Sequence, residues 1–124
     1  MENSTKNLLT SLTPSVYDAN KFSEKVRELD FNITMDITHL GQSNQDIIDF
    51  FLKNKKFIKN IYLSNFENNI LKCHLPLGKG NLSIERFLNV LKKNKYSGVL
   101  TLEVNDNKQN VAESVKFVKK VLYR

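Results

Sequence analysis

The sequence predicts an α/β chain in which about three to four βα units of parallel strands with outer helices form part of a barrel. Three observations carry this reading. Helical and strand periodicities alternate along the chain, successive strands are separated by helices long enough for crossover connections, and each strand is apolar on one side and polar on the other.

The helices announce themselves by spacing. Thr13-Pro14 is a start signal, a capping hydroxyl followed by proline at the first helical position, and Ala19, Phe22, Val26 and Leu29 then make one apolar stripe. Ser43 or Asn44 is expected to open a second helix that buries Ile47, Ile48, Phe51 and Leu52. Ser83 opens a third with Ile84, Phe87, Leu88 and Leu91, and the fourth carries Val111, Val115, Val118 and Leu122. Between them lie three runs rich in β-branched and aromatic residues: 32–36 (NITMD), 60–64 (NIYLS) and 99–104 (VLTLEV).

The strand faces narrow the architecture. An open doubly wound sheet is covered by helices on both faces, so its central strands are apolar throughout. Here Ile33, Met35, Ile61, Leu63, Leu100 and Leu102 fall on one side. Asn32, Thr34, Asp36, Asn60, Tyr62, Ser64, Thr101 and Glu103 fall on the other. That division suits the wall of a (β/α) barrel, with Asp36 and Glu103 at the C-terminal strand ends where reactive groups gather in such barrels.

Composition limits the partners. The chain has 124 residues, one domain's worth, taken as a single domain over 1–124. No apolar run approaches the length of a membrane span, the start MENSTKN lacks the apolar core of a signal peptide, and the expected location is cytoplasmic. A single cysteine, Cys73, rules out an intramolecular disulfide and a four-thiolate zinc site. A net charge of +6 raises nucleic acid as a partner, but the lysines fall in short groups near predicted helix ends, where cations complement the helix dipole. A solvated surface explains most of them.

One connection stands apart. The segment from Ser64 to Leu82 contains KCHLPLGKG (72–80), which concentrates two of the four glycines and one of the two prolines beside one of the two histidines. A loop of that length in a compact α/β unit is usually functional. It is expected to arch over the strand ends and to carry His74 there. Gly78-Lys79-Gly80 lacks the spacing and hydroxyl of a P-loop, so its glycines serve the turn into the third helix, with Lys79 available to a substrate phosphate.

Four segments in order, 35–39 (MDITH), 61–65 (IYLSN), 74–80 (HLPLGKG) and 96–104 (YSGVLTLEV), resemble the C-terminal half of the xylose isomerase-like TIM barrel superfamily, which includes sugar and sugar-phosphate isomerases and epimerases and endonuclease IV. The start Met1-Glu2-Asn3 resembles the end of that family's fifth strand. The resemblance implies a partial (β/α)8 TIM barrel with sugar isomerase or epimerase chemistry. It implies Glu2 and Glu103 as the catalytic acid/base pair, with Glu2, Asp36, Glu103 and His74 as ligands of a divalent metal (Mn²⁺, Mg²⁺ or Zn²⁺) and His39, His74 and Lys79 as substrate contacts. A metal in such a site polarises a sugar carbonyl while a carboxylate moves the adjacent proton. The pattern departs from the family at Tyr62, which replaces a ligand histidine and should weaken the metal, and at Asn65, where an aspartate is usual.

Bland readings compete with each of these roles. Asp36 and Glu103 could be caps or surface charges, His39 could cap the turn before Gly41, and His74 could be a loop residue bonded to backbone. An eight-stranded barrel is also out of reach of three strands, so self-association or a second chain supplying the missing strands is expected. Endonuclease-like zinc chemistry is the first rival reading, with nucleic acid the less favoured partner because of Tyr62, Asn65 and Lys72. A non-catalytic remnant or interaction subunit of the same fold is the second.

Overall fold

The computed structural model describes residues 23, 24, 27–29, 32–67, 72–105 and 107–124. Its elements run β1 (Ile33–Asp36), α1 (Ile37–Gln42), α2 (Ile47–Asn54), β2 (Ile58–Leu63), α3 (Ile84–Lys93), β3 (Val99–Leu102) and α4 (Lys108–Leu122). Residues 23, 24 and 27–29 are helical. The strands form one sheet in the order β1-β2-β3, and both pairings are parallel. The crossovers pass through α1 and α2 and then through α3.

Register settles which side chains share a face. Asp36 is opposite Tyr62, and Tyr62 is opposite Thr101. Met35, Ile61 and Leu100 form the neighbouring row, which points the other way because side chains alternate along a strand. The apolar rows meet the helices. Met35, Ile61 and Leu63 are fully buried with Phe51 of α2 and Phe87 of α3, whose rings meet edge to face at 6.0 Å. On the polar side Thr101 Oγ1 donates to Asn60 Oδ1 at 2.9 Å.

The expected third helix is found as predicted, with Ser83 at its N-cap and Ile84, Phe87, Leu88 and Leu91 buried. Two other helices differ from expectation. The second opens at Asp46, whose carboxylate accepts from the backbone N–H groups of Ile48 and Asp49, and not at Ser43 or Asn44. Asp46 takes the cap because it directly precedes the first helical residue with an extended backbone, so that both donors reach one of its oxygens, whereas Asn44 has a left-handed φ of 57°. Its buried face is Ile47, Phe50, Phe51 and Asn54, leaving Leu52 45% exposed. The buried Asn54 is held through its Nδ2, which donates to the Phe50 carbonyl and to Ser23 Oγ, while its Oδ1 has no partner among the described residues.

In α4 the buried stripe is rotated from the expected one: Ser114 and Val121 are buried, Phe117, Val118 and Leu122 are half-buried, and Val111 and Val115 are exposed. Ser114 is drawn inward because its hydroxyl accepts from the Leu77 backbone N–H, tying α4 to the long loop. The short helix α1 is unforeseen. It forms because Asp36 caps it directly at the strand end.

The outer edge of β3 pairs with no strand among the described residues. Val99, on the polar side of that edge, is 61% exposed. Between β3 and α4 lies a cleft of about 600 Å³ lined by Leu100, Leu102, Val115, Val118 and Leu122, with Lys119 at its rim. Among the described residues no helix is long and apolar enough to cross a membrane.

Candidate functional site

The C-terminal ends of β1, β2 and β3 converge on one end of the sheet, and the site is built from what each chain segment does on leaving it. At the end of β1, Asp36 is 1% exposed. Its Oδ1 accepts from the His39 backbone N–H at 3.0 Å, and its Oδ2 lies 3.1 Å from His39 Nδ1. One carboxylate therefore both starts α1 and orients the imidazole one turn on. His39 is thus the capped partner of Asp36. Thr38, on the same turn, shares a buried hydrogen bond of 2.6 Å with Ser64 at the end of β2.

At the end of β2 the chain enters the long loop. Asn65 and Leu75 exchange both backbone hydrogen bonds as an isolated antiparallel bridge, at 3.0 and 2.9 Å. The buried Asn65 amide is fully used: Oδ1 accepts from the N–H groups of Phe66 and Leu82, and Nδ2 donates to the carbonyls of Leu77 and Leu82. Gly80 adopts a φ of +125°, and a Cβ there would stand 2.5 Å from the Phe66 carbonyl and 2.6 Å from Asn65 Oδ1. Glycine is required at that point because the loop presses directly on its own anchor.

His74 is held between the loop and the end of β3. Its backbone is left-handed, with φ +55°, a conformation costly for a side chain other than glycine and found where surrounding contacts over-determine it. Those contacts are identifiable. Its Nδ1 lies 2.9 Å from the Glu103 carbonyl, and its own carbonyl accepts from the Asn105 N–H at 2.7 Å. A carbonyl can only accept, so Nδ1 carries the proton and Nε2 of the neutral ring presents a lone pair.

Glu103 extends the β2–β3 ladder by one step, its N–H donating to the Leu63 carbonyl at 2.9 Å, so its side chain joins the face of Thr101. Burial pushes its carboxyl above the ordinary value, the Asp36 charge raises it further, and His74 and His39 pull it back. Three of the sequence-predicted groups thus act electrostatically on the fourth. Tyr62 stands in the row between Asp36 and Thr101, in the middle of the polar face.

Other expected residues fall differently. Glu2 lies outside the described residues. Lys79 is exposed, with its backbone N–H donating to the Pro76 carbonyl in the turn. Cys73 is a free, half-buried thiol. No group of three or more His, Cys, Asp or Glu side chains among the described residues stands close enough to hold a metal ion. The described residues by themselves therefore do not make a complete metal shell. Sequence reasoning noticed Asn65 only as a departure from a pattern and missed Thr38, Ser64 and Ser114. A polar residue at a strand end ahead of a long glycine-containing loop is the signal that could have flagged Asn65.

The family model for the xylose isomerase-like TIM barrel matches residues 3–121. The chain belongs to that family. Three solved structures share its fold. A D-tagatose 3-epimerase-like protein matches at 21% identity and a TM-score of 0.67, covering 98% of this chain and 45% of its own. A 3-keto-D-glucoside 4-epimerase from E. coli matches at 13% identity and 0.70, covering 96% and 44%. A probable 3-DHS dehydratase involved in petrobactin synthesis, from Bacillus anthracis, matches at 17% identity and 0.65, covering 86% and 44%. The chain thus spans less than half the length of each of these relatives. No curated protein matches it by sequence. Within this family fold, the three parallel strands are a partial barrel, and the polar strand face is the side that a barrel turns inward.

Proposed function

We propose that this chain contributes the strand-end carboxylates and imidazoles of a sugar or sugar-phosphate isomerase or epimerase, in which a proton is moved at the carbon next to a carbonyl. The observation that carries the reading is the environment of Glu103, a partly desolvated carboxyl within electrostatic reach of Asp36, His39 and His74 at the C-terminal end of the sheet. A carboxyl whose proton is held more tightly than usual is better matched to abstracting and returning a carbon-bound proton. Glu103 is the acid/base group in this reading. His74 Nε2 faces the substrate as an acceptor or ligand, and Asp36 sets His39 for substrate contact. Lys79 would meet a phosphate on the substrate.

A divalent ion, when bound, would polarise the carbonyl, drawing on Glu103 and His74 with Asp36 and Glu2 as further ligands. Completing that shell, and the barrel wall facing the polar strand rows, would fall to groups beyond the described residues, a second copy or another chain among them. The edge of β3, which pairs with no strand among the described residues, the exposed Val99 and the adjoining apolar cleft support a further element covering this side.

The test is deuterium wash-in. Purified protein with Mn²⁺ in D₂O, given a panel of ketoses and ketose phosphates, is expected to label the carbon next to the carbonyl, and Glu103→Gln to abolish labelling. No labelling of any sugar, together with no Mn²⁺ binding, would overturn the proposal. A second reading, an interaction subunit without catalysis, is favoured by one observation: both Asp36 oxygens are already engaged by His39. Metal binding by the wild type that is lost in Glu103→Gln would count against it.

A further inference from the structure

His74 is a strained residue in a loop, yet its ring is aimed at one backbone carbonyl. Its contacts at the end of β3 are backed by a second set of bonds made at the end of β2. Asn65 fixes the loop at three points after His74: the bridge to Leu75, the bond to the Leu77 carbonyl, and paired bonds to the Leu82 N–H and carbonyl. Two of these flank the Pro76 turn, so the residue following His74 cannot rotate without breaking backbone bonds. With Leu75 fixed on one side and Asn105 bonded to the His74 carbonyl on the other, the left-handed backbone is set and the ring has one direction left.

We infer that Asn65 is the positioning residue for His74, fixing its imidazole as the Nδ1–H tautomer on the Glu103 carbonyl so that Nε2 is the nitrogen offered to a ligand. The chemistry demands an amide. Asn65 meets two N–H donors and two carbonyl acceptors, and an amide is the side chain that carries both an accepting oxygen and a donating nitrogen in one plane. A carboxylate there would leave the Leu77 and Leu82 carbonyls facing negative charge. This inference rests on the reading of His74 as a site residue for its meaning, but its test needs neither metal nor sugar, so each can fail independently of the other.

The measurement is ¹⁵N–¹H NMR of the two histidine rings at a pH where they are neutral, with amide hydrogen exchange alongside. In the wild type, His74 is expected to show protonated Nδ1 and unprotonated Nε2; an Nε2–H tautomer or an even mixture overturns the inference. In Asn65→Ala that keeps the wild-type circular dichroism, the two His74 nitrogen signals should move toward a tautomer average. Exchange of the Leu75 amide should accelerate on the order of tenfold or more, as expected for local release. The His39 ring and the Ile61 amide should stay as in the wild type. An unchanged His74 in the folded variant, or both histidines changing together, overturns the assignment. If Asn65→Ala does not fold, Gly80→Ala, whose Cβ would press on Asn65 Oδ1, gives the same readout. A tautomer average at His74 supports the inference, and an unaltered ring refutes it.

Discussion

The chain leaves β1 through an aspartate and β2 through an asparagine, and the two exits are governed by different chemistry. Asp36 meets two donors of His39, the backbone N–H and the ring nitrogen, and starts a helix within one residue of the strand. Asn65 meets donors and acceptors in equal number and anchors the loop that leads to the helix starting at Ile84. A carboxylate suits an exit where the neighbouring groups all donate. An amide suits one where carbonyls must be satisfied as well, because a buried carbonyl without a donor costs about 1–3 kcal/mol. The helix exit delivers His39 by local geometry, one turn from its cap. The loop exit delivers His74 by long-range bonding, nine residues from its anchor.

The sharpest way to break this comparison is to exchange the chemistry at the second exit. Asn65→Asp would strand two carbonyls against a buried charge and is expected to cost about 3 kcal/mol or more in urea unfolding. A loss below ~1 kcal/mol would mean that the amide donors are unimportant, contrary to the penalty expected for buried carbonyls. Next in size is Gly80→Ala, which forces a Cβ against the Phe66 carbonyl at a φ of +125°. The same unfolding measurement should register a cost of about 1–3 kcal/mol. At the first exit the ordering reverses. Asp36→Ala removes the cap and should cost ~1–2 kcal/mol, while Asp36→Asn keeps an accepting oxygen for the His39 N–H and should cost clearly less. Equal losses in the two Asp36 variants would show that the pairing with His39, and not the cap, dominates there.

The smallest effect concerns the group that both exits surround. The folded-state value of Glu103 lies above its unfolded value, chiefly through burial and secondarily through Asp36. Its contribution to stability is therefore complete below the unfolded carboxyl value and is lost as pH rises through the folded one. Ionised Glu103 is slightly unfavourable to the fold at neutral pH. Glu103→Gln is expected to be marginally more stable than the wild type at neutral pH, with the difference disappearing on acidification. A variant less stable at neutral pH would mean that the carboxylate is held by attractive contacts and would reverse that sign.

Much of this organisation was legible in residue spacing. The helix 84–93 was recoverable because its apolar residues follow one stripe from a recognisable start, and the strand faces because alternation survives whatever surrounds the sheet. The failures have a common cause. Leu52 and Val115 have the hydrophobicity of core residues but stand exposed, whereas Asn54 and Ser114 are buried with hydrogen bonds to Ser23 and Leu77, partners distant in sequence. Periodicity counts apolar side chains and is blind to a polar one with a hydrogen-bond partner waiting. At the site, the positions of Asp36 and Glu103 at the strand ends could be read from pattern. The capping by Asp36 and the reach of His74 to the Glu103 carbonyl could not.

The amino-acid order by itself determined the alternation of elements, the parallel strands and the division of each strand into a helix-covered and a polar side, because these depend on periods of two and 3.6 residues that short stretches of chain carry internally. The tertiary structure decided which nitrogen of His74 meets the Glu103 carbonyl, why residue 65 is an amide and which face of the last helix turns inward. Those outcomes depend on hydrogen bonds between groups many residues apart, whose geometry exists only once the strands have been brought side by side.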